Sequence, residues 1–284
     1  MKKLLISFFI FVLTLSALAS ARAQDTTKLW NHTLLTSLNL AEVSFTHWAP
    51  GGTNALNYIA LVDGKSERNT PTTMTDWATT YKFKFGQTKL AGQEIRKTDD
   101  EINIESMLTY KYGVHVNPYV AASLLTQFSA GYNYTDTNKT RISDFFDPGY
   151  LKESAGIGWK PTNYFQTRLG AALREIVTHD FPIYAAEPTQ KEFEGGTRIQ
   201  GGLESVSQLD LPVDTNVVLR AKVDLFSPIK AMDRIVMHSE AGLIAKVSKI
   251  FSAELSALFV SDPDLSPFTQ IKQGLSIGIS YAIL

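Results

Sequence analysis

From Val217 onward the chain alternates with period two. Val217, Leu219, Ala221, Val223 and Leu225 share one face of an extended segment, and Val218, Arg220, Lys222 and Asp224 share the other. The next segment repeats the rule, with Ile235, Met237, Ala241, Leu243 and Val247 opposite Arg234, His238, Glu240 and Lys246. Phe251, Ala253, Leu255, Ala257 and Phe259 then oppose Ser252, Glu254 and Ser256. In the last segment Leu275, Ile277, Ile279, Tyr281 and Ile283 oppose Gly274, Ser276, Gly278, Ser280 and Ala282. Strands of this kind need a core or a lipid phase on one side and polar surroundings on the other.

The same template marks eight earlier strands, near residues 33–46, 54–64, 75–87, 100–113, 118–133, 149–160, 163–175 and 197–211, giving twelve in all. In the first, Leu38 and Leu40 fall out of phase with Val43 and Phe45, which predicts a β-bulge near Ala41. Connections around 114–117, 161–162, 212–215 and 248–250 are short, whereas 133–148 and 176–196 are long. Only 65–74 breaks the order, by being long on the short side. An even strand count with short turns at one end and long loops at the other predicts an all-β fold: a transmembrane antiparallel up-and-down barrel with short periplasmic turns and longer extracellular loops. A soluble sandwich shares the alternation. These strands, however, exceed the usual length of about five or six residues. Aromatics also gather at strand ends, with Trp77, Tyr110, Tyr112, Trp159 and Tyr281 at one edge and Phe85, Tyr132 and Phe259 at the other.

Such a barrel has to be exported, and the N-terminus carries the means. Lys2 and Lys3 precede an uncharged, largely apolar run from Leu4 to Ala19, and Ala21 and Ala23 flank Arg22 as a cleavage site. Residues 1–23 therefore read as a cleaved signal peptide, 24–32 as an N-terminal periplasmic segment and 33–284 as the barrel domain. Cleavage would leave 24 basic against 28 acidic residues. No basic stripe remains for nucleic acid, and the absence of cysteine excludes disulfides and thiolate metal sites.

The final strand resembles the C-terminal assembly signal of outer-membrane barrels: Ser276, Gly278, Tyr281 and Ile283 fill its defined places, with Leu284 where a terminal Phe is usual. A free edge of this kind suits capture by β-augmentation before the barrel closes. Further stretches carry a wider resemblance: Trp30, "THWAPGGTN" (46–54), "KTDDEI" (97–102), "TQF" (126–128), "ISDFFDPGY" (142–150) and "QIKQGLSIGISY" (270–281). They resemble the Bacteroidota family of outer-membrane barrels known as domain of unknown function 3078. The resemblance implies a Gram-negative outer-membrane location and the barrel fold, and no established activity or catalytic residues.

Chemistry is then sought in the lumen, because twelve strands enclose more room than the roughly eight whose side chains fill a barrel. Alternation turns Lys82, Lys84, Glu105, Arg168, Arg174, Glu204, Arg220, Lys222, Asp224, Arg234, His238 and Glu240 inward, with Lys111, Gln127, Gln208 and Asp210 beside them. Two readings of this mixed lining stand side by side. It surrounds a narrow aqueous pore and biases which solutes pass, or its charges pair across the lumen and plug it.

No catalytic, cofactor or metal site is expected, since no serine is tied by sequence to a histidine and the chain lacks H-E-x-x-H. His179 beside Asp180 and His47 beside Trp48 read as surface histidines, and Pro50-Gly51-Gly52 as a tight outer turn. The acidic runs Asp99–Glu101 and Ser261–Asp264 read as solvated loops or as seats for a divalent cation at lipopolysaccharide. Gly195, Gly196, Gly201 and Gly202 lack the strand-then-helix setting of a phosphate cradle and let a strand bend instead. Phe145, Phe146, Phe181 and Tyr184 in the two long loops suit sugar stacking or packing over the mouth.

Three functions follow in order: passive or selective passage of small polar solutes, a closed structural barrel with a loop-borne binding role, and an outer-membrane lipid hydrolase. The expected partners are outer-membrane lipid, the barrel-assembly machinery during biogenesis and small polar solutes.

Overall fold

The alternating segments pair edge to edge until the last meets the first. A computed structural model describes residues 29–44, 53–69, 73–135, 138–186, 196–248 and 251–282. Its strands are β1 (Asn31–Val43), β2 (Ala55–Arg68), β3 (Thr75–Leu90), β4 (Arg96–Tyr110), β5 (Val116–Thr126), β6 (Gly131–Tyr134), β7 (Lys139–Ser143), β8 (Gly149–Trp159), β9 (Phe165–Thr178), β10 (Gly196–Asp214), β11 (Val217–Pro228), β12 (Val236–Lys246), β13 (Phe251–Ser261) and β14 (Gln270–Ala282). Twelve of them form one closed antiparallel barrel, each beside its neighbour in sequence, and β6 and β7 form a separate hairpin between β5 and β8. The expected signal peptide 1–23 and the turn at Pro50-Gly51-Gly52 lie outside the described residues, as does Ile283 of the assembly signal. β1 begins at Asn31, within the segment expected to precede the barrel.

The usual order of burial is inverted. Leu169 is 63% exposed and Leu275 76%, whereas Glu204 is 1% exposed. An apolar belt outside and charge inside fit a barrel whose wall faces lipid hydrocarbon. Aromatic side chains mark both rims of the belt. At the end that carries the termini, the Trp77 indole N–H donates to Ser106 Oγ at 2.8 Å, and Trp30 meets Trp77 edge to face at 5.7 Å. At the other rim Phe83 and Phe85 lie 6.2 and 6.5 Å from Phe128. Tyr132, expected in that girdle, belongs instead to the β6–β7 hairpin beyond the barrel.

Three sequence expectations need correction. The register of β1 on β2 runs unbroken from Asn31↔Glu67 to Val43↔Ala55, so the first strand has no bulge at Ala41. Leu38 and Leu40 face outward and are exposed, while Val43 lies at the strand end, beyond the belt, where phase is not enforced. Within the barrel the register shifts occur at Gly86/Gln87 and at Pro212/Asp214, the latter where proline has no N–H for the ladder.

The connection expected over 65–74 begins only after Arg68, because Ser66, Glu67 and Arg68 continue the ladder opposite Thr79, Ala78 and Trp77. The strand expected over 118–133 stops at Thr126. There the Asp100 carboxylate accepts the backbone N–H groups of Phe128 and Ser129 at 2.6 and 3.0 Å, which pulls the chain out of the sheet.

Closure is made by β14 on β1. Among the described residues that seam runs from Leu35↔Ala282 to Asn39↔Gly278, much shorter than the pairing of β1 with β2.

Candidate functional site

The charged lumen divides into two halves. On the side of β5, β8, β9 and β10 it is packed. Glu204 Oε1 accepts from Tyr119 Oη at 2.9 Å, Ser154 Oγ at 2.7 Å and Arg168 Nε at 3.0 Å, while Lys152 Nζ lies 3.1 Å from Oε2. The Arg168 guanidinium also grips both oxygens of Glu105, at 2.7 and 3.1 Å, and lies over the Tyr119 ring. Backbone closeness makes this possible. Gly156 and Gly170 are cross-strand partners on the inner face, and a Cβ on Gly170 would strike the Ala155 carbonyl and the Tyr119 hydroxyl. Each buried charge here has opposite charge beside it, and donors surround Glu204 Oε1, which is the condition for keeping it away from water.

On the side of β11, β12, β2, β3 and β14 the lining keeps contact with water. The Arg220 and Asp63 side chains are 47% and 40% exposed, against 9% and 0% for Arg168 and Glu204. Bonds still cross this half. Lys82 Nζ donates to Glu240 Oε2 at 2.7 Å and lies 3.2 Å from Glu101, and His238 Nε2 lies 3.2 Å from Glu240 Oε1. Lys222 reaches Glu105 at 3.2 Å, and Arg220 lies 3.6 Å from Asp63 and 3.5 Å from Asp210. Lys152 donates to both oxygens of Asp224 at 2.6 and 2.8 Å and links the two halves.

The outer mouth is tied by arginine. Arg174 donates to Asp262 at 2.8 Å, and Arg198 and Arg234 donate to the two oxygens of Asp264 at 2.8 and 2.9 Å. These bonds fold the β13–β14 loop into the opening. The hairpin β6–β7 stands outside it, where Lys139 donates to Glu94 at 2.7 Å and sits over the Tyr132 ring at 4.4 Å. Their hydrogen bond holds the Glu94 carboxyl below its ordinary range and raises the Lys139 ammonium.

At the opposite, short-turn end the lumen opens into a cavity of about 170 Å³. Its lining includes Arg68, Trp77, Met107, Tyr119, Trp159, Lys160 and Arg168.

The acidic runs are neither solvated nor free for a cation. Asp99 accepts from Lys272 and pairs with Lys84, Asp100 pairs with Lys97, and Glu101 with Lys82. His179 bonds the neighbouring Asp180. The oxygens of Asp147, which lies beside both, accept from Thr178 Oγ1, His179 N and Asp180 N. Among the described histidines only His32 bonds a serine hydroxyl, that of Ser66, and its ring stacks on Trp30 at the rim. His47 lies outside the described residues.

Residues 40–132 match the family model described as Protein of unknown function (DUF3078). The matched segment is about one third of the chain. It carries β2 to β5, and with them Lys82, Lys84, Asp99, Glu101, Glu105 and Tyr119 of the lumen. Among solved structures, the translocator domain of the autotransporter NalP from Neisseria meningitidis is similar at 12% identity and a TM-score of 0.40, over 99% of this chain and 97% of that one. An outer membrane channel from Pseudomonas putida F1 is similar at 9% identity and 0.39, over 91% and 98%. The NanC porin is similar at 10% and 0.39, over 88% and 98%. No curated protein matches.

Each of the twelve lumen residues named from sequence takes part in an inward ion pair or hydrogen bond. Sequence reasoning missed Asp63, Lys152, Asp262, Asp264 and Arg198. Lys152 and Asp63 obey the alternation and were legible by phase. Asp262 and Asp264 lie in a loop after β13, where period two gives no direction.

Proposed function

We propose that the protein is an outer-membrane barrel that passes small polar or ionic solutes along the water-accessible half of its lumen. The observation that carries this reading is the split in burial: the charges of β2 and β11 at Arg220 and Asp63 stay wet while Glu204 and Arg168 are sealed. A charge-lined, water-accessible track beside a packed buttress discriminates by size and sign, because charged rings act at close range. The termini and short turns then lie in the periplasm, and the hairpin and arginine-tied loop face outward. Outer-membrane lipid surrounds the belt, the assembly machinery acts on the final strand, and no catalytic step is assigned.

A second reading, a closed structural barrel with binding loops, draws on the pairs that bridge the lumen, Lys82–Glu240 and Lys222–Glu105. Conductance of the purified protein in a planar bilayer separates the two. Discrete ion currents support passage, and their absence at every voltage sinks it in favour of the closed barrel.

A further inference from the structure

Arg68 ends β2 on the face turned away from the lumen. Its cross-strand partner is Trp77, as Thr79 is the partner of Ser66, and Trp77 and Thr79 both bond the outward hydroxyl of Ser106. The pairing of β1 with β2 ends at Asn31↔Glu67, so Trp30, one step on, stands level with Arg68 on the other side. The indoles of Trp30 and Trp77 meet at 5.7 Å across β2, and the His32 ring stacks on Trp30 at 6.3 Å. Between these rings the cation has no partner. The Arg68 Nε is buried without an acceptor, and among the described residues no hydrogen bond or ion pair reaches the other two nitrogens. The nearby acids turn the other way: Glu67 and Asp76 alternate to the inside, where they pair with Lys65 and Lys111. No Asp or Glu stands on the outward positions of β2 or β3. A guanidinium whose Nε is enclosed is not a freely snorkelling tip, so the wall fixes where its fork points. On the lipid side of a tryptophan-marked rim the groups at that depth are headgroups, and the oxyanion they offer an arginine fork is a phosphate.

We propose that Arg68, framed by Trp30 and Trp77, seats the phosphodiester of one membrane phospholipid on the outer wall at the rim that carries the termini. The inference rests on the barrel crossing a membrane and not on its conducting. The guanidinium takes two phosphate oxygens at once, and the indoles sit at the level where one ring edge meets headgroups and the rest meets acyl chain. The protein, purified in detergent and stripped of lipid, is given phosphatidylglycerol or, separately, a galactosyl diacylglycerol that lacks phosphate, and native mass spectrometry counts the lipids retained. The expected result is one phosphatidylglycerol retained at concentrations at which the galactolipid is not. Added inorganic phosphate should not displace it, since the seat also holds the lipid by its chains.

Arg68→Gln should weaken that retention at least about tenfold, the factor that loss of a charge-assisted pair of bonds implies. Arg68→Lys keeps the charge without the fork and should fall between the two. Lys139→Gln, which removes one charge at the far end of the barrel, should change nothing, and heat-modifiable gel mobility confirms that each variant is folded. Equal retention of the two lipids, or unaltered retention in folded Arg68→Gln, overturns the proposal. Displacement by inorganic phosphate overturns it as well, by making the ligand a free anion. Selective retention without bilayer currents would keep this seat and sink the pore, and currents without selective retention would do the reverse.

Discussion

Lys82 of β3 and Glu240 of β12 meet at 2.7 Å, although four barrel strands separate them one way round and six the other. The pair crosses the wet half of the lumen, so cutting it widens the route. Lys82→Ala is expected to raise single-channel conductance by roughly twofold or more, since the constriction sets the current. An unchanged or smaller current in a folded variant would show that the pair does not bound the path.

Selectivity should follow the neighbouring strand. Arg220 and Lys222 put two positive charges on the accessible wall of β11. Replacing both by Glu is expected to shift the reversal potential in a potassium chloride gradient toward cation preference. A reversal potential that stays put removes these residues from the conducting wall.

On the packed side the expected effect is on stability. Glu204→Ala leaves Arg168 and Lys152 with less counter-charge, and removing one partner of a buried ionic cluster costs about 3–5 kcal/mol. The temperature at which the folded form is lost on gels should fall sharply. Glu204→Gln retains an acceptor for Tyr119 and Ser154 and should lose less.

The outer mouth gives a kinetic readout. Asp262→Asn with Asp264→Asn removes the carboxylates that hold Arg174, Arg198 and Arg234. Protease added from outside should cut the 262–269 loop at least about tenfold faster, as opening becomes easier by ~1.4 kcal/mol or more. Cleavage at the parental rate would mean that the arginines do not anchor the loop.

Acid should release the hairpin β6–β7. Lys139 holds the Glu94 carboxyl below its unfolded value, so the pairing stabilises the hairpin fully above the ordinary Glu range and is lost as pH falls through the depressed value. Hydrogen exchange of the hairpin amides, compared with Glu94→Gln, checks the sign. The parent's protection should drop in acid toward that of the variant, which itself should show little pH dependence there.

The strand number and the inward faces were legible because period two is enforced wherever lipid lies on one side and charge on the other. That constraint lapses at the rims. Val43 suggested a bulge that β1 does not have, since the belt no longer covers its position. The charged end of β2 disguised a strand as a loop, because Lys65 and Glu67 pair with each other at the lumen mouth. Nor does alternation say how far a side chain reaches. Asp100 stops β5 with bonds to residues 28 and 29 positions away, and the sealing of Glu204 depends on Gly156 and Gly170 bringing backbones close. The division into packed and wet halves is therefore a property of the closed ring, invisible strand by strand.

The β1–β14 seam has a mechanical meaning. The described rungs join Leu35–Asn39 to Gly278–Ala282, while each strand's other edge is fastened over most of its length. A hoop yields where its fastening is shortest, so heat or sideways tension should unzip this cylinder between its two ends in sequence before any other joint slips. The rest of the sheet can then stay whole as a curled ribbon, ready to close again.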